Sequence, residues 1–193
     1  MNSQNVSACR RAAVLLFLIG LPIVAADAPA GLKNFQQVSD HIYRGAQPSS
    51  EGFQSLAKLG VKTVIDLRES GGRSRDEAKL VQALGMRYVN IPMDGYSAPT
   101  QAQVSKVLAL FNDSSAGPLF VHCRRGADRT GTMIAIYRIG HDHWDNQKAL
   151  AEAQTYKMAG WEILMQSYVM HYQTVVEPAP ASQPAPQQSA AAN

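Results

Sequence analysis

Leu119-Phe120-Val121-His122-Cys123-Arg124-Arg125-Gly126-Ala127-Asp128-Arg129-Thr130-Gly131 decides how the rest of the chain is read. The apolar run after Pro118 predicts a buried strand, Gly126 marks a tight loop, and Arg129 to Ile139 is apolar at helical spacing. A strand, a short loop and a helix N-terminus form an anion cradle, because unpaired backbone N–H groups and the helix dipole converge on one spot. That spot also carries Cys123 and, after five intervening residues, Arg129. Helix N-termini and nearby arginines favour the thiolate form of a cysteine. A planar guanidinium can grip two phosphoryl oxygens at once. The backbone N–H groups of Arg124, Arg125, Gly126, Ala127, Asp128 and Arg129 are expected to complete a concave nest for an oxyanion.

Working back from this stretch, the chain alternates strands and helices. Phe35, Val38, Ile42 and Tyr43 suggest two short strands about a turn at Ser39-Asp40. Ser49 or Ser50 can cap a helix over Glu51–Leu59 that Gly60 ends. Val61–Leu67 is β-branched and apolar, a central strand, and Asp66 within it is expected to anchor structure rather than catalyse. After a polar loop, Ser74 with Glu77 three residues on predicts a capping box, with the helix running to about Leu84 and Gly85. Met86–Ile91 is the next strand and Pro92–Pro99 a loop. Thr100 caps a helix presenting Val104, Val107, Leu108 and Phe111 on one face. Beyond the quoted stretch, one helix runs to about Arg138, another starts at Asp145, and a third lies over Trp161–Tyr172. The order predicts an α/β fold with a mostly parallel central sheet flanked by helices.

The pattern His-Cys-x5-Arg-Thr-Gly at His122–Gly131 closely resembles the phosphate loop of the cysteine-based protein tyrosine and dual-specificity phosphatases. Tyr43-Arg44-Gly45-Ala46-Gln47-Pro48 resembles the lead-in segment of many small members, and it is assigned no chemistry. The resemblance spans about Asn34 to Tyr172 and implies the compact dual-specificity-phosphatase fold. It further implies Cys123 as nucleophile through a phosphocysteine intermediate and Arg129 as phosphate clamp. His122 then orders the loop, and the Thr130 hydroxyl bonds to the thiolate. No cofactor and no metal are implied.

The leaving oxygen needs a proton. Family members take it from a loop about 30 residues before the cysteine, and Asp94, 29 residues before Cys123, is the only acid between Glu77 and Asp113. Gly95 beside it allows loop movement, although Asp-Gly is also an ordinary turn pair. Asp128, inside the loop, is the rival donor, with a structural hydrogen bond as its alternative role. Arg124 and Arg125 add positive charge at the rim, which suits polyanions such as phosphoinositides or inositol phosphates. His141-Asp142-His143 sits where adjacent side chains do not converge on a metal.

With 17% charged residues and a net charge of +3, the chain shows no broad nucleic-acid-binding surface. Arg10-Arg11 followed by the apolar run Ala12–Ala25 predicts a signal peptide over residues 1–26, short for a membrane span of about 20 residues. Export to the periplasm or beyond follows, with an uncleaved membrane anchor as the alternative. All 15 acidic residues and 16 of the 18 basic ones lie beyond Ala26, a net charge of +1, and Cys123 is then the only cysteine. A single thiol has no partner with which to form an intramolecular disulfide in an oxidising compartment. Residues 31–175 are expected to form the phosphatase domain, and residues 178–193, rich in Pro, Ala and Gln without charge, a disordered tail. The expected activity is hydrolysis of phosphotyrosine proteins, with phosphoserine or phosphothreonine as further substrates. The alternatives are an inositol-phosphate phosphatase and a non-catalytic phosphate-binding module. A sulfurtransferase is disfavoured because its persulfide loop places the arginine closer to the cysteine. The sequence leaves oligomeric state open.

Overall fold

A computed structural model describes residues 29–174. The expected signal peptide, Cys9 and the tail at 178–193 lie outside the described residues. Five strands form one sheet: β1 (Gln36–Gln37), β2 (Ile42–Ala46), β3 (Thr63–Asp66), β4 (Arg87–Asn90) and β5 (Leu119–Cys123), in the order β1-β2-β5-β3-β4. Only the β1–β2 pairing is antiparallel, a hairpin at the edge, and the other three pairings are parallel. Among the described residues six α-helices accompany them: α1 (Ser50–Lys58), α2 (Gly72–Ala83), α3 (Gln101–Phe111), α4 (Asp128–Gly140), α5 (Asn146–Thr155) and α6 (Ile163–Met170). Both fold expectations, a mostly parallel sheet and helices on its two faces, describe this architecture.

Strand β5 is central, and all five of its residues are buried. Its alternation sends successive side chains to opposite layers. Leu119, Val121 and Cys123 join a core with Val104, Val107 and Phe111 of α3 and Met133, Ile134 and Tyr137 of α4. Phe120 faces the other layer with Phe53 and Leu56 of α1 and Val81 of α2, and the His122 ring stacks on Phe120 at 5.6 Å. Cys123 and His122 therefore face different sides of the sheet. The polar capping residues hold where local chemistry alone decides. Ser49 caps α1, Asp145 caps α5, and Thr100 with Gln103 forms a reciprocal box on α3.

The start of α2 differs from the expectation. The helix begins two residues before Ser74, and the Ser74 hydroxyl, one turn inside, binds the N–H and carbonyl of Gly71. Glu77 makes no capping box; its buried carboxylate turns inward to Arg68 and His122. An ion pair with a buried arginine outweighs a cap that a serine can supply by itself. The third C-terminal helix is also shorter than Trp161–Tyr172, because Trp161 and Glu162 belong to the preceding loop.

Candidate active site

The C-terminal ends of β3 and β5 open onto a cavity of about 550 Å³ bordered by Cys123, Arg124, Arg125, Asp128 and Arg129. This is where parallel α/β sheets place their ligand sites. Residues 124–127 connect β5 to α4, so the first turn of α4 points its free N–H groups at the end of the strand that carries the thiol.

The loop is shaped from behind. The Arg124 carbonyl accepts from the Gln47 N–H at 3.4 Å, and the Arg125 and Gly126 carbonyls accept from Asn34 Nδ2 at 3.2 and 3.0 Å. Gly126 O also accepts from Arg44 Nη2 at 2.7 Å. In a trans peptide the C=O and the following N–H point in opposite directions. Turning these carbonyls outward therefore turns the following amides toward the concave side. Gly126 has φ +67°, and a Cβ there would lie 2.3 Å from the Gly45 backbone, so no other residue fits the turn. Sequence reasoning assigned no chemistry to the segment containing Arg44 and missed Asn34. Only its place in the sheet, where Gly45 and Ala46 pair with His122 and Cys123, brings Arg44 behind the loop.

Arg44 is 1% exposed and stacks 4.1 Å over the Tyr156 ring, while its Nε and Nη1 find no partner among the described residues. Burial lowers its pKa to about 10. The guanidinium is a positive charge sealed under the phosphate loop.

Cys123 is buried and free, and Arg129 is buried beside it. Arg129 Nη1 donates to Met93 O at 3.2 Å and pairs with Glu69 Oε1 at 3.0 Å. Glu69 is largely exposed, and its carboxylate holds one end of the Arg129 guanidinium at the cavity edge. His122 Nε2 lies 2.9 Å from Glu77 Oε1, and its Nδ1 lies 3.3 Å from the Cys123 carbonyl. The Thr130 hydroxyl is buried and makes no hydrogen bond among the described residues, so the expected bond to the Cys123 sulfur is not formed. Asp66, Glu77 and His122 offer ligand atoms within 4.8 Å of one another. The Arg68 guanidinium, bonded to Asp66 at 2.6 Å and Glu77 at 2.7 Å, already supplies the positive charge that a metal would bring.

The carboxylates expected near the reaction are placed differently from one another. Asp94 is exposed and accepts from the N–H groups of Tyr96 and Ser97 at 2.9 and 2.8 Å. The Tyr96 N–H first, and then the Ser97 side chain, lower its pKa. Its neighbours Gly95 and Tyr96 border the cavity. Asp128 accepts from Arg125 at 2.6 Å and from the Ala159 N–H at 3.0 Å, tying the loop to the segment before α6. A third carboxyl, Glu162, was not anticipated. It is buried on the cavity wall, and burial followed by the nearby Asp128 raises its pKa. No local motif marks it, because it reaches the cavity from a loop 39 positions beyond Cys123.

Residues 22–171 match the family model described as a dual-specificity (DSP-PTPase) phosphatase fused to NAD+ kinase. The chain is 34% identical over 155 residues to the dual specificity protein phosphatase TpbA of Pseudomonas aeruginosa, covering 74% of this chain and 69% of that protein. A crystal structure of a Cys-to-Ser variant of P. aeruginosa TpbA in complex with pTyr superposes with a TM-score of 0.62 at 25% identity, covering 76% and 92% of the two chains. Inositol diphosphatase DSP3 of Arabidopsis thaliana is 28% identical over 116 residues, 58% of this chain and 57% of that one. The chain belongs to the cysteine-based dual-specificity phosphatase family and is a phosphatase of that class.

Proposed function

We propose that this protein hydrolyses phosphotyrosine in proteins, and phosphoserine or phosphothreonine as further substrates, through Cys123. One arrangement carries the reading: a thiol at the end of the central strand and a buried arginine facing one cavity, with the carbonyls of the loop between them turned away from it. The phosphoryl group would sit among the amides of residues 124–129, held by the Arg129 fork once Glu69 gives way. The Cys123 sulfur attacks phosphorus in line, the S–P bond forms, and the ester P–O bond breaks. The leaving oxygen takes a proton from a carboxylic acid. Water then attacks phosphorus and gives a proton to that carboxylate, the S–P bond breaks, and inorganic phosphate leaves with the Cys123 sulfur and the acid restored. The pTyr complex of TpbA and the dual-specificity name of that relative support the substrate class.

Asp94 is our candidate for the proton donor. Its loop borders the cavity, and its carboxylate is hydrogen-bonded by Tyr96 and Ser97 of that same loop, so a rotation toward the substrate would free it. Asp128 is pinned by Arg125 and Ala159, which favours a structural role. The signal-like N-terminus supports a periplasmic or secreted location, with an uncleaved anchor as the alternative.

A second reading has its own support. Arg73, Arg124 and Arg125 border the cavity, more positive charge than a single phosphate needs, and one relative is named an inositol diphosphatase. Phosphate release from a phosphotyrosine peptide, an inositol phosphate and an aryl phosphate, with chelator present, separates the two. Wild type, Cys123→Ser, Asp94→Asn and Asp128→Asn should be compared. We expect Cys123→Ser to lose turnover entirely and Asp94→Asn to fall about a hundredfold, in the range of a lost general acid. Full activity in Cys123→Ser, or loss of wild-type activity to chelator, would sink the mechanism. A larger fall in Asp128→Asn than in Asp94→Asn would reverse the acid assignment.

A further inference from the structure

We propose that Arg44, buried behind the phosphate loop, is a specificity-determining residue whose charge acts through the loop and makes the cradle select doubly over singly charged tetrahedral anions. The inference rests on the phosphatase reading above and names what that site selects, the dianion of a phosphate monoester.

Arg44 is the middle residue of β2, opposite Val121 of β5 and two positions before Ala46, the partner of Cys123. Its head is satisfied on one side only. Nη2 donates to Gly126 O and the guanidinium covers the Tyr156 ring, while Nε and Nη1 have no acceptor among the described residues. Holding the Gly126 carbonyl requires a donor but no charge, and the neutral Asn34 amide donates to the same oxygen at 3.0 Å. A charge sealed from water is costly unless an opposite charge faces it. A buried guanidinium at this position therefore points to an anion.

The charges around Arg44 show where that anion belongs. Burial lowers its pKa, but only to about 10, so the guanidinium remains charged at neutral pH. Tyr156, Glu152 and Cys123 favour that charge and Arg138 opposes it. Glu152 is already matched, because Arg138 donates to it at 3.1 and 2.9 Å. The cradle itself is left, with Cys123 at its floor. The Gly126 carbonyl that Arg44 binds shares a peptide with the Ala127 N–H, which the trans bond turns the opposite way. A cation on the oxygen polarises that peptide and strengthens its N–H as a donor. Coulomb energy scales with the charge of the bound anion. A cation behind the loop thus gains twice as much from a doubly charged anion as from a singly charged one of the same shape, whereas a neutral donor lacks this dependence.

Sulfate and perchlorate are tetrahedral oxyanions of these two charges, and neither titrates near neutral pH. Their inhibition of aryl phosphate turnover, and the rise in Tm each gives without substrate, should be compared in wild type, Arg44→Gln, Arg44→Lys and Asn34→Ala. In Arg44→Gln sulfate affinity should fall about tenfold and perchlorate affinity about threefold, so that their ratio falls about threefold. Arg44→Lys keeps the charge and should return the ratio toward wild type. Asn34→Ala removes a neutral donor to the same carbonyl and should weaken both anions by one factor. An equal loss for both anions in Arg44→Gln, or a lysine variant that behaves like the glutamine one, overturns the proposal. Should Arg44→Gln fail to fold, Arg44→Met removes the same charge and is read in the same way. Arg44-dependent charge selection in Tm, in a wild type that turns over no ester, would leave this inference standing and refute the phosphatase reading. Turnover with a ratio that Arg44 does not alter would refute this inference alone.

Discussion

Glu162 shows how one residue's surroundings set its charge. Its carboxyl is walled in beside Asp128, so ionisation is disfavoured and its pKa is raised from 4.5. Below the unfolded value the group is protonated in both states and contributes no difference. As pH rises above that value, the folded chain holds the proton longer than the unfolded chain, and stability falls. Glu162→Gln mimics the protonated form. It should therefore raise Tm at pH 7 and leave it unchanged near pH 4, as read by thermal melts at the two pH values. An equal gain at both would show that packing, not charge, is responsible. Asp94 has the opposite sign: its loop amides favour the carboxylate. The proton-donor role assigned to it above therefore requires the loop to move. Cys123, Arg129 and Asp128 could all be singled out in the sequence because they share one loop. Glu162 and Glu69 could not, because a lone glutamate in a loop carries no pattern.

At the scale of elements, the unit is β5, its loop and α4, with the chain around Arg44 as a backrest. Residues from Asn34 to Gln47 supply every donor named above to the carbonyls at 124–126. Removing the Arg44 head leaves Gly126 O with Asn34 as its remaining donor, and a hydrogen bond to a charged group is worth about 1.5–3 kcal/mol. Arg44→Met should accordingly lower stability by about that amount in urea unfolding. It should also weaken inhibition by inorganic phosphate about tenfold, which is about 1.4 kcal/mol. A stability loss without a change in phosphate inhibition would limit Arg44 to packing. The sequence assigns the lead-in segment no chemistry because its partners lie about 80 residues away. The capping box expected at Ser74 and Glu77 failed for a related reason: the glutamate had a stronger partner on another element.

Across the whole molecule, the buried network of Asp66, Arg68, Glu77 and His122 ties β3, α2 and β5 together. Burial alone would raise the Asp66 pKa, but hydrogen bonds from Arg68, helped by His122 and Tyr88, win and lower it. A depressed folded-state pKa gives stability that is present above the unfolded value of 3.8 and is lost as pH falls further. Melts should therefore show a decline below about pH 4, shallower in Asp66→Asn. That variant should also lose about 3–5 kcal/mol at neutral pH, because Arg68 is left buried beside one partner fewer. A flat acid profile in wild type would mean that the network carries no pH-dependent stability.

The sequence by itself determined the strand–loop–helix unit, its thiol and its arginine. Seven residues of chain and their local dihedral preferences are enough to hold those groups at one helix N-terminus. It also determined the alternation that builds a parallel sheet, since hydrophobic period and glycine stops are local properties. Only the tertiary structure decided what surrounds the cradle: Arg44 and Asn34 behind it, Glu69 on its arginine, Glu162 on its wall, and Tyr96 beside Trp161 at its mouth. These contacts join segments separated by tens of residues. Their energies depend on strand order and burial, which no short window of sequence contains.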